Sequence, residues 1–598
     1  IKAASEIGWP IVSATVTTLL AFVPIILIPD KVGQFMRSMP LTIIATLSVS
    51  LFIALTLTPL IASKIFKQKS KINLIENKKK NNHRYLRRFI EGPYRKILSF
   101  SLSHKAMILI VAIVVFFGSV FMVKFVGFSL FPKAEKPQFM IKINLPEGTN
   151  LDKTNKVVGE IEAILDTITY VKHYASNVGH GNPRIYYNVI SKNNLKNYGD
   201  IFVFLKEYDI EKYDNLILQL RRTFNDFTGA KINIKELEQG TPIAAPIMIY
   251  IEGDNIDELR KIASDVEKYI ENEKGTINID NKLAKSRTDL FININKEKAN
   301  IFGVPIHEID KTIRAAITGM SISKFRDKDG EEFNIVIRLP FEDKIRMSDF
   351  DKIYVKSMSG KLIPLRQLAS IELKKAPSLI TRYNLSRTAL ITADLEKGAN
   401  LDKIMNPIIH KLNKYPFPNG YSYRIAGELE SRDEAFGGMK IAMLIALISI
   451  FAVLVLQFKS FVQPLIIFTA IPLALIGSIW ALFITGNSFS FSALIGLLSL
   501  IGIVINNSII LVDYTNRLRD DGKSIIEALK IAGETRFTPI ILTTLTTIGG
   551  LLPLTLRGGT MWAPMGWAII GGLLVSTMLT LIIVPILYNL FSSKVEHI

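Results

Sequence analysis

Apolar positions cluster near both ends of this chain, and a long polar stretch, 127–437, separates the two clusters. Eight apolar runs, at about 9–28, 39–61, 106–126, 439–458, 463–485, 489–512, 538–556 and 565–591, approach or exceed the roughly 20 residues that cross a bilayer. Two of them share a motif. Pro10, Thr15, Thr17, Thr18 and Pro24 recur as Pro539, Thr544, Thr546, Thr547 and Pro553, every pair 529 positions apart. Each copy leads into a second proline-containing run, MPLTIIATLSVSLFIALTLTPLI after the first and GWAIIGGLLVSTMLTLIIVPILY after the second. The pattern predicts a duplicated membrane segment, an organisation on which many secondary transporters are built.

The polar stretch carries a different rhythm. Strand-like alternation runs through FMIKINL (139–145), with Phe139, Ile141, Ile143 and Leu145 on one face, and again through RIYYNVI, DIFVFL and KINIKEL. Helical spacing fills 151–168 and 212–227, so the order is strand, helix, strand, strand, helix, strand, the ferredoxin-like split arrangement. A second such unit starts at IMIYIEG (247–253), with a helix at 256–271 and a strand at 276–280. It resumes with TALITADL, a helix at 400–413 and YSYRIAG (421–427). The interruption, 284–379, is expected to be a separate subdomain of short strands and turns. Neighbouring units of this kind leave clefts where ligands sit.

Charge changes the picture only through its location. The net +19 is concentrated in 64–105, where thirteen Lys or Arg face only Glu76 and Glu91. A basic loop between spans marks the cytoplasmic side, so nucleic acid is a poor reading of the charge. Threading from that anchor puts 127–437 outside the cytoplasm, and the 457–460 turn and 513–537 inside. Within the basic loop, YLRRFIEGPYRKILSF is amphipathic and is expected to lie along the inner membrane surface, with a solvated linker as the alternative. The chain has no cysteine, so no disulfide holds the external part together. The chain opens at Ile1 on IKAASEIGWP, which matches KIAGETRFTP of the second copy. The expectation is therefore the C-terminal part of a twelve-span protein, eight spans being present, as a fragment or a truncated frame.

The second half reads LVLQFKSFVQPLIIFTAIPLALIGS, then LIGLLSLIGIVINNSIILVDYTNRLRDDGKSIIEALKIAGETRFTPIILTTLTTIGGLLPL, and the external part contains INKEKANIFGVPIHEIDKTIRAAITG. Over essentially the whole chain this resembles the resistance-nodulation-division (RND) efflux transporters. The resemblance implies a homotrimeric inner-membrane permease of the multidrug type. Such a permease exports hydrophobic or amphiphilic compounds by proton or other cation influx, with a periplasmic adaptor and an outer-membrane channel in a Gram-negative cell. It implies a helical membrane bundle with an extracytoplasmic α+β region. It names 138–238, and 245–283 with 380–430, as porter subdomains, and 284–379 as an inserted docking subdomain. The remainder divides into 1–63, the last two spans of the first membrane half; 64–105, the linker; 106–126, a span; and 438–592, five spans of the second half.

Polar residues inside the spans are candidates for coupling. The threonines shared by both copies read as helix-packing groups. Arg536 aligns with Ile7 and Thr543 with Ala14, so these two differ between the copies. By the resemblance, their positions belong to or neighbour a proton relay. The competing readings are a snorkelling arginine and a threonine bonded to its own helix. Asn506 and Asn507 interrupt an apolar run and need partners. Helical spacing sets Ser499, Gly502, Asn506 and Asp513 on one face, and structural packing remains an alternative for Asn507. The family commonly carries a lysine at the position of Asn506, paired with two aspartates on a helix that would precede Ile1. Its replacement predicts a relay through neutral amides or a different coupling ion. Without those acids this chain alone is not expected to pump.

Substrate chemistry is less legible. SNVGHGNPRIYY (176–187) falls where the family has a mobile loop gating the drug pocket, which makes Gly179, His180, Gly181 and Tyr186 gating candidates beside the reading of an ordinary glycine turn. His173, His180, His307 and His410 are scattered, which argues against a metal site. No phosphate loop or nucleophile constellation is present, so no cofactor and no enzymatic reaction are expected. The alternatives are a heavy-metal or lipid exporter of the same family, or a non-pumping lipid-sensing or assembly subunit.

Overall fold

The computed structural model describes residues 2–65, 89–284, 286–340, 346–396 and 398–592. Most of the basic segment, 66–88, and with it the first residues of the amphipathic stretch, lies outside the described residues. Among those described, eight helical segments are long and apolar enough to cross a membrane.

The first is α1 (Lys2–Ile26), which holds Pro10 and Pro24. A short α2 (Lys31–Met36) follows, its first turn capped by Asp30, whose carboxylate accepts from the Gly33 N–H at 2.6 Å. The apolar run expected at 39–61 divides into α3 (Ser38–Leu55) and α4 (Leu57–Ile65), because Pro59 has no N–H for the carbonyl of Leu55 and its ring crowds that position. A π-turn at Ile90–Tyr94 leads into α5 (Arg95–Ser103), and α6 (Lys105–Val126) carries the chain to the extramembrane region.

The first α/β unit runs β1 (Gln138–Asn144), α7 (Leu151–Asp166), β2 (Val171–Val178), β3 (Tyr198–Leu205), α8 (Ile210–Asn225), β4 (Lys231–Glu236). Its sheet order is β2-β3-β1-β4, the ferredoxin-like arrangement. Phe139, Ile141 and Ile143 are fully buried against Val158 and Ile161 of α7 and Ile217 and Leu220 of α8. The alternation of β1 turns Met140, Lys142 and Asn144 to the other face. One expected strand is wrong. RIYYNVI (184–190) is a loop, held by its own side-chain bonds: Asn188 Nδ2 donates to the Glu238 carbonyl at 2.8 Å and the Gly240 N–H donates to the Tyr187 hydroxyl at 2.7 Å. The second strand is β2 instead, a half-exposed edge strand whose alternation is too weak to stand out.

The second unit repeats the plan with β5 (Ile247–Glu252), α9 (Ile256–Glu271) and β6 (Thr276–Asn281) before an insertion. The insertion enters on β7 (Ser286–Ile294) and runs through α10 (Lys296–Ile301), α11 (Ile306–Ile317), β8 (Met320–Arg326), β9 (Glu332–Ile337), β10 (Tyr354–Lys356), β11 (Leu362–Pro364) and α12 (Leu365–Leu368). It leaves on β12 (Ala369–Pro377), which pairs with β7 along its whole length. Its separate core includes Ile309, Phe350, Val355 and Leu365. The unit then resumes with β13 (Thr381–Tyr383), β14 (Ser386–Leu395), α13 (Leu401–Lys414) and β15 (Ser422–Gly427). β14 lies between β5 and β6, and β15 on the far side of β5, so this sheet copies the order of the first.

The remaining spans are α14 (Glu428–Phe458), the broken pair α15 (Val462–Phe468) and α16 (Ala470–Ile484), α17 (Phe491–Asp520), α18 (Ile525–Arg557) and α19 (Gly559–Ser592). The tightest crossing joins α16 and α19. A Cβ on Gly477 would lie 2.1 Å from the Gly571 carbonyl oxygen, so only glycine admits this approach. Ser478 Oγ donates across the same crossing to the Ala568 carbonyl at 2.7 Å. A polar contact ties α6 to α16, Trp480 Nε1 donating to Ser119 Oγ at 3.0 Å. α17 is the most enclosed helix, packed by α1, α18 and α19.

Candidate functional site

Two cavities gather chemistry. The first lies in the membrane bundle between α1, α17 and α18. Gly502 sets the spacing: a Cβ there would meet the Thr18 Cα at 2.9 Å, so α1 rests directly on α17. Thr18 Oγ1 completes the contact by donating to the Gly502 carbonyl at 3.3 Å. Thr544 pairs with Thr577 at 2.8 Å, whereas Thr546 and Thr547 bond back to α18. Toward one end the helices part around a space of about 170 Å³ lined by Pro10, Ala14 and Thr15 of α1, Asn506, Asp513 and Arg517 of α17, and Arg536 and Pro539 of α18. Pro10 and Pro539 are the equivalent prolines of the repeat. Each lacks the N–H that would bond the carbonyl four residues earlier in its helix.

The charges in this cavity are partly matched. Asp513 pairs with Arg517 at 3.0 Å, one helical turn away. The Arg536 guanidinium lies 4.4 Å from the centre of the Tyr514 ring, a cation–π contact, yet its buried Nε has no hydrogen-bond partner among the described residues. The buried Oδ1 of Asn506 likewise lacks a donor. One orphan donor and one orphan acceptor in a cavity of this size suit a polar guest or several waters. Asn507 is buried but does not line the space. Thr543 is exposed, its hydroxyl donating to the Ile540 carbonyl at 2.8 Å, so the structure does not bring it to Asn506 and Arg536. Asp513, which spacing had set on the same face as Asn506, belongs to the group.

The second cavity, about 320 Å³, is the cleft between the two α/β units. Lys142 and Asn144 of β1, Lys231 and Lys235 of β4, Lys192 of the β2–β3 loop and Lys282 after β6 all line it, with Glu236, Glu238, Asp280 and Asp394. Its apolar part comes from Val189, Ile190, Leu390 and the connection Pro242–Ala245, and no described lining residue is aromatic. Lys235 joins the units: its ammonium meets Asp394 of β14 at 3.1 Å and Glu238 at 3.3 Å, and Asn278 donates to the other oxygen of Asp394 at 3.0 Å. Burial alone would lower the Lys235 pKa, but the Asp394 and Glu238 carboxylates outweigh it and raise it.

Lys142 is different. It has no ion pair among the described residues, although its cross-strand neighbour is Asp200. One oxygen of that carboxylate is engaged elsewhere, Oδ2 accepting at 3.3 Å both from the Asn182 N–H and from the Tyr198 hydroxyl, while its buried Oδ1 has no hydrogen-bond partner among the described residues. Burial pulls the Lys142 pKa below its ordinary value and Lys235 adds to this, against the opposing pull of Asp200, Asp394 and Glu238.

The loop residues singled out from the sequence sit beside this cleft and do not line it. Gly179 takes φ +85°, and a Cβ there would strike Leu151 at 2.8 Å. A Cβ on Gly181 would strike Ser191 Oγ at 2.9 Å, so both glycines allow tight packing of the loop. His180 Nδ1 lies 2.9 Å from the Gly181 carbonyl. Tyr186 packs on Met140 and Phe202 of the sheet, its hydroxyl pKa pushed up to about 12 by burial and by Tyr187. The part of the loop that faces the cleft is 188–192, and Tyr187 stacks on Phe35 of α2 with ring centres 5.9 Å apart.

The chain matches the AcrB/AcrD/AcrF family over residues 1–592. It is similar to the swarming motility protein SwrC of Bacillus subtilis (strain 168), 27% identical over 99% of this chain and 55% of that protein. It is also similar to the multidrug resistance protein MdtC of Proteus mirabilis (strain HI4320), 26% identical over 99% of this chain and 57% of that protein. A solved structure described as a heavy metal efflux pump shares the fold, with a TM-score of 0.81 at 20% identity, covering 99% of this chain and 59% of that one. The chain thus spans a little over half the length of the relatives it matches.

Proposed function

The chain belongs to the AcrB/AcrD/AcrF family, the RND efflux permeases, and on that premise we propose that the whole protein exports amphiphilic compounds bearing an anionic group, driven by cation influx. The observation that carries the substrate reading is the cleft between the two α/β units. It combines an apolar wall with five lysines, and one of them, Lys142, is desolvated without an ion partner. An ammonium so placed gains a charge-assisted hydrogen bond from a carboxylate, sulfate or phosphate oxygen, and the apolar wall takes the hydrocarbon. In this reading 138–238 and 245–283 with 380–430 act as porter subdomains, and the loop carrying Gly179, His180, Gly181 and Tyr186 sets the position of 188–192 at the cleft.

Coupling is assigned to the membrane cavity. Arg536 offers a donor and Asn506 an acceptor beside the Asp513 carboxylate, and a proton or other cation entering there changes which of these groups is paired. In this reading Asn507 has a packing role and Thr543 bonds its own helix. A homotrimer is supported by the insertion, 284–379, whose β8–β9 hairpin exposes Ile322, Phe325, Phe333, Ile335 and Val336 and would be covered by a neighbouring copy. A periplasmic adaptor and an outer-membrane channel would complete the export path in a Gram-negative cell.

The test is dye retention in cells expressing the whole protein, with anionic and cationic fluorescent amphiphiles of matched chain length. Wild type should lower retention of the anionic dye more strongly. Asp513→Asn and Arg536→Ala should abolish the effect at unchanged membrane abundance. Equal export of both dyes would refute the substrate assignment, and unchanged export by both variants would refute the coupling site.

A further inference from the structure

A third cavity lies where α5, α6 and α19 meet. It measures about 460 Å³, and apart from Lys96 and Ser101 its lining is apolar, with Phe100, Ala112, Val115 and Leu579 among the contributors. Phe100 and Val115 are exposed, so the groove opens sideways out of the bundle. The start of α5 is tied to α19 and α18 by two adjacent residues. The Tyr94 hydroxyl donates to the Leu581 carbonyl at 3.3 Å, and Arg95 pairs with Glu534 at 3.2 Å. The next residue, Lys96, stands at the groove with no ion pair among the described residues.

We propose that this groove holds one acyl chain of an anionic phospholipid, with the headgroup phosphate on Lys96. Two observations select this occupant. The groove is flanked by α6 and α19, both long and apolar enough to span a membrane, so the medium against its open side is hydrocarbon. Among the described residues its only ionisable lining group is a cation, and α6 begins beside it at Lys105, in a segment that carries a large positive excess. The preceding segment of the chain, KQKSKINLIENKKKNN, is too polar to match the lining. The site is separate from both cavities assigned to transport.

The experiment uses the full-length protein in detergent, titrated with phosphatidylglycerol or phosphatidylcholine of identical acyl chains, with bound lipids counted by native mass spectrometry. Wild type should retain one phosphatidylglycerol about fivefold more tightly than phosphatidylcholine, the effect of roughly one basic residue at an anionic headgroup. Lys96→Gln should remove that preference, and Lys96→Arg should keep it. Ala112→Phe, which fills the groove, should weaken both lipids. A phosphatidylglycerol with a photoreactive acyl chain should label peptides of α5, α6 and α19. The proposal is overturned if Lys96→Gln keeps the full preference, if the label falls elsewhere, or if Val115→Cys cross-links to a second copy of the chain.

Discussion

Replacing Lys142 with methionine should make the protein more stable and a poorer binder of anions. Methionine matches the lysine stem to within one atom, so the packing of β1 is preserved, while a desolvated ammonium with no ion pair among the described residues is removed. Relief of that desolvation is on the order of 1 kcal/mol for a group that still reaches the cleft, which raises a thermal midpoint by about 4–8 °C in a unit of roughly 100 residues. Binding moves the other way. Loss of one charge-assisted hydrogen bond to a ligand carboxylate is worth roughly 1.5–3 kcal/mol, a ten- to hundredfold rise in Kd. The assay is fluorescence polarisation of a dansyl fatty acid and the matching dansyl alkylamine on the full-length protein, with thermal unfolding followed in parallel. pH supplies a second check. Because burial holds the Lys142 pKa below 10.5, the ammonium deprotonates earlier than an ordinary lysine as pH rises. Fatty-acid binding should therefore fade below that value in wild type and persist in Lys142→Arg. Destabilisation by Lys142→Met, or unchanged affinity for the acid, would refute the reasoning.

Other perturbations probe separate parts of the structure. A double-mutant cycle on Lys235→Met and Asp394→Asn should give a coupling of about 1–3 kcal/mol in unfolding, since this ion pair joins the two α/β units; a coupling near zero would remove it as a latch. Burial pushes the Glu236 pKa up, but Lys133 and Arg221 together hold it below the usual 4.5. Its stabilising contribution is present above that pH and is lost as pH falls through the depressed value. Glu236→Gln should flatten the acid limb of a stability–pH curve. Gly477→Val should cost at least about 3 kcal/mol or prevent folding, because its side chain would enter the backbone of α19; normal expression with an unchanged melting curve would contradict the α16–α19 crossing.

Much of the architecture is legible in the sequence because the relevant periodicities are local. The apolar runs, the alternation of FMIKINL and the helical spacing at 256–271 are each read within one element, and the structure has a helix at Ile256–Glu271. Gly502, Asn506 and Asp513 could be set on one face by counting turns, and α1 does pack at Gly502. What escapes is what depends on a second body. Lys142 reads as the solvent side of an alternating strand; only the neighbouring unit makes it part of a cleft. β2 escapes because an edge strand, half covered, has no clean alternation, whereas RIYYNVI alternates by chance and is held in a loop by Tyr187 and Asn188. Thr543 differs between the two repeat copies, yet its position on the outer side of α18 depends on helix rotation that alignment does not report.

The pairing of Pro10 with Pro539 across the membrane cavity has a mechanical consequence. A helix bends most cheaply where a proline has already removed a backbone bond, and here two such prolines, related by the duplication, line the same space of about 170 Å³. Bending or straightening either helix at its proline would change that volume. The quantity exchanged between the two halves of the repeat is then hydration: the number of waters the space admits reports the angle of α1 to α18, whichever of them moves.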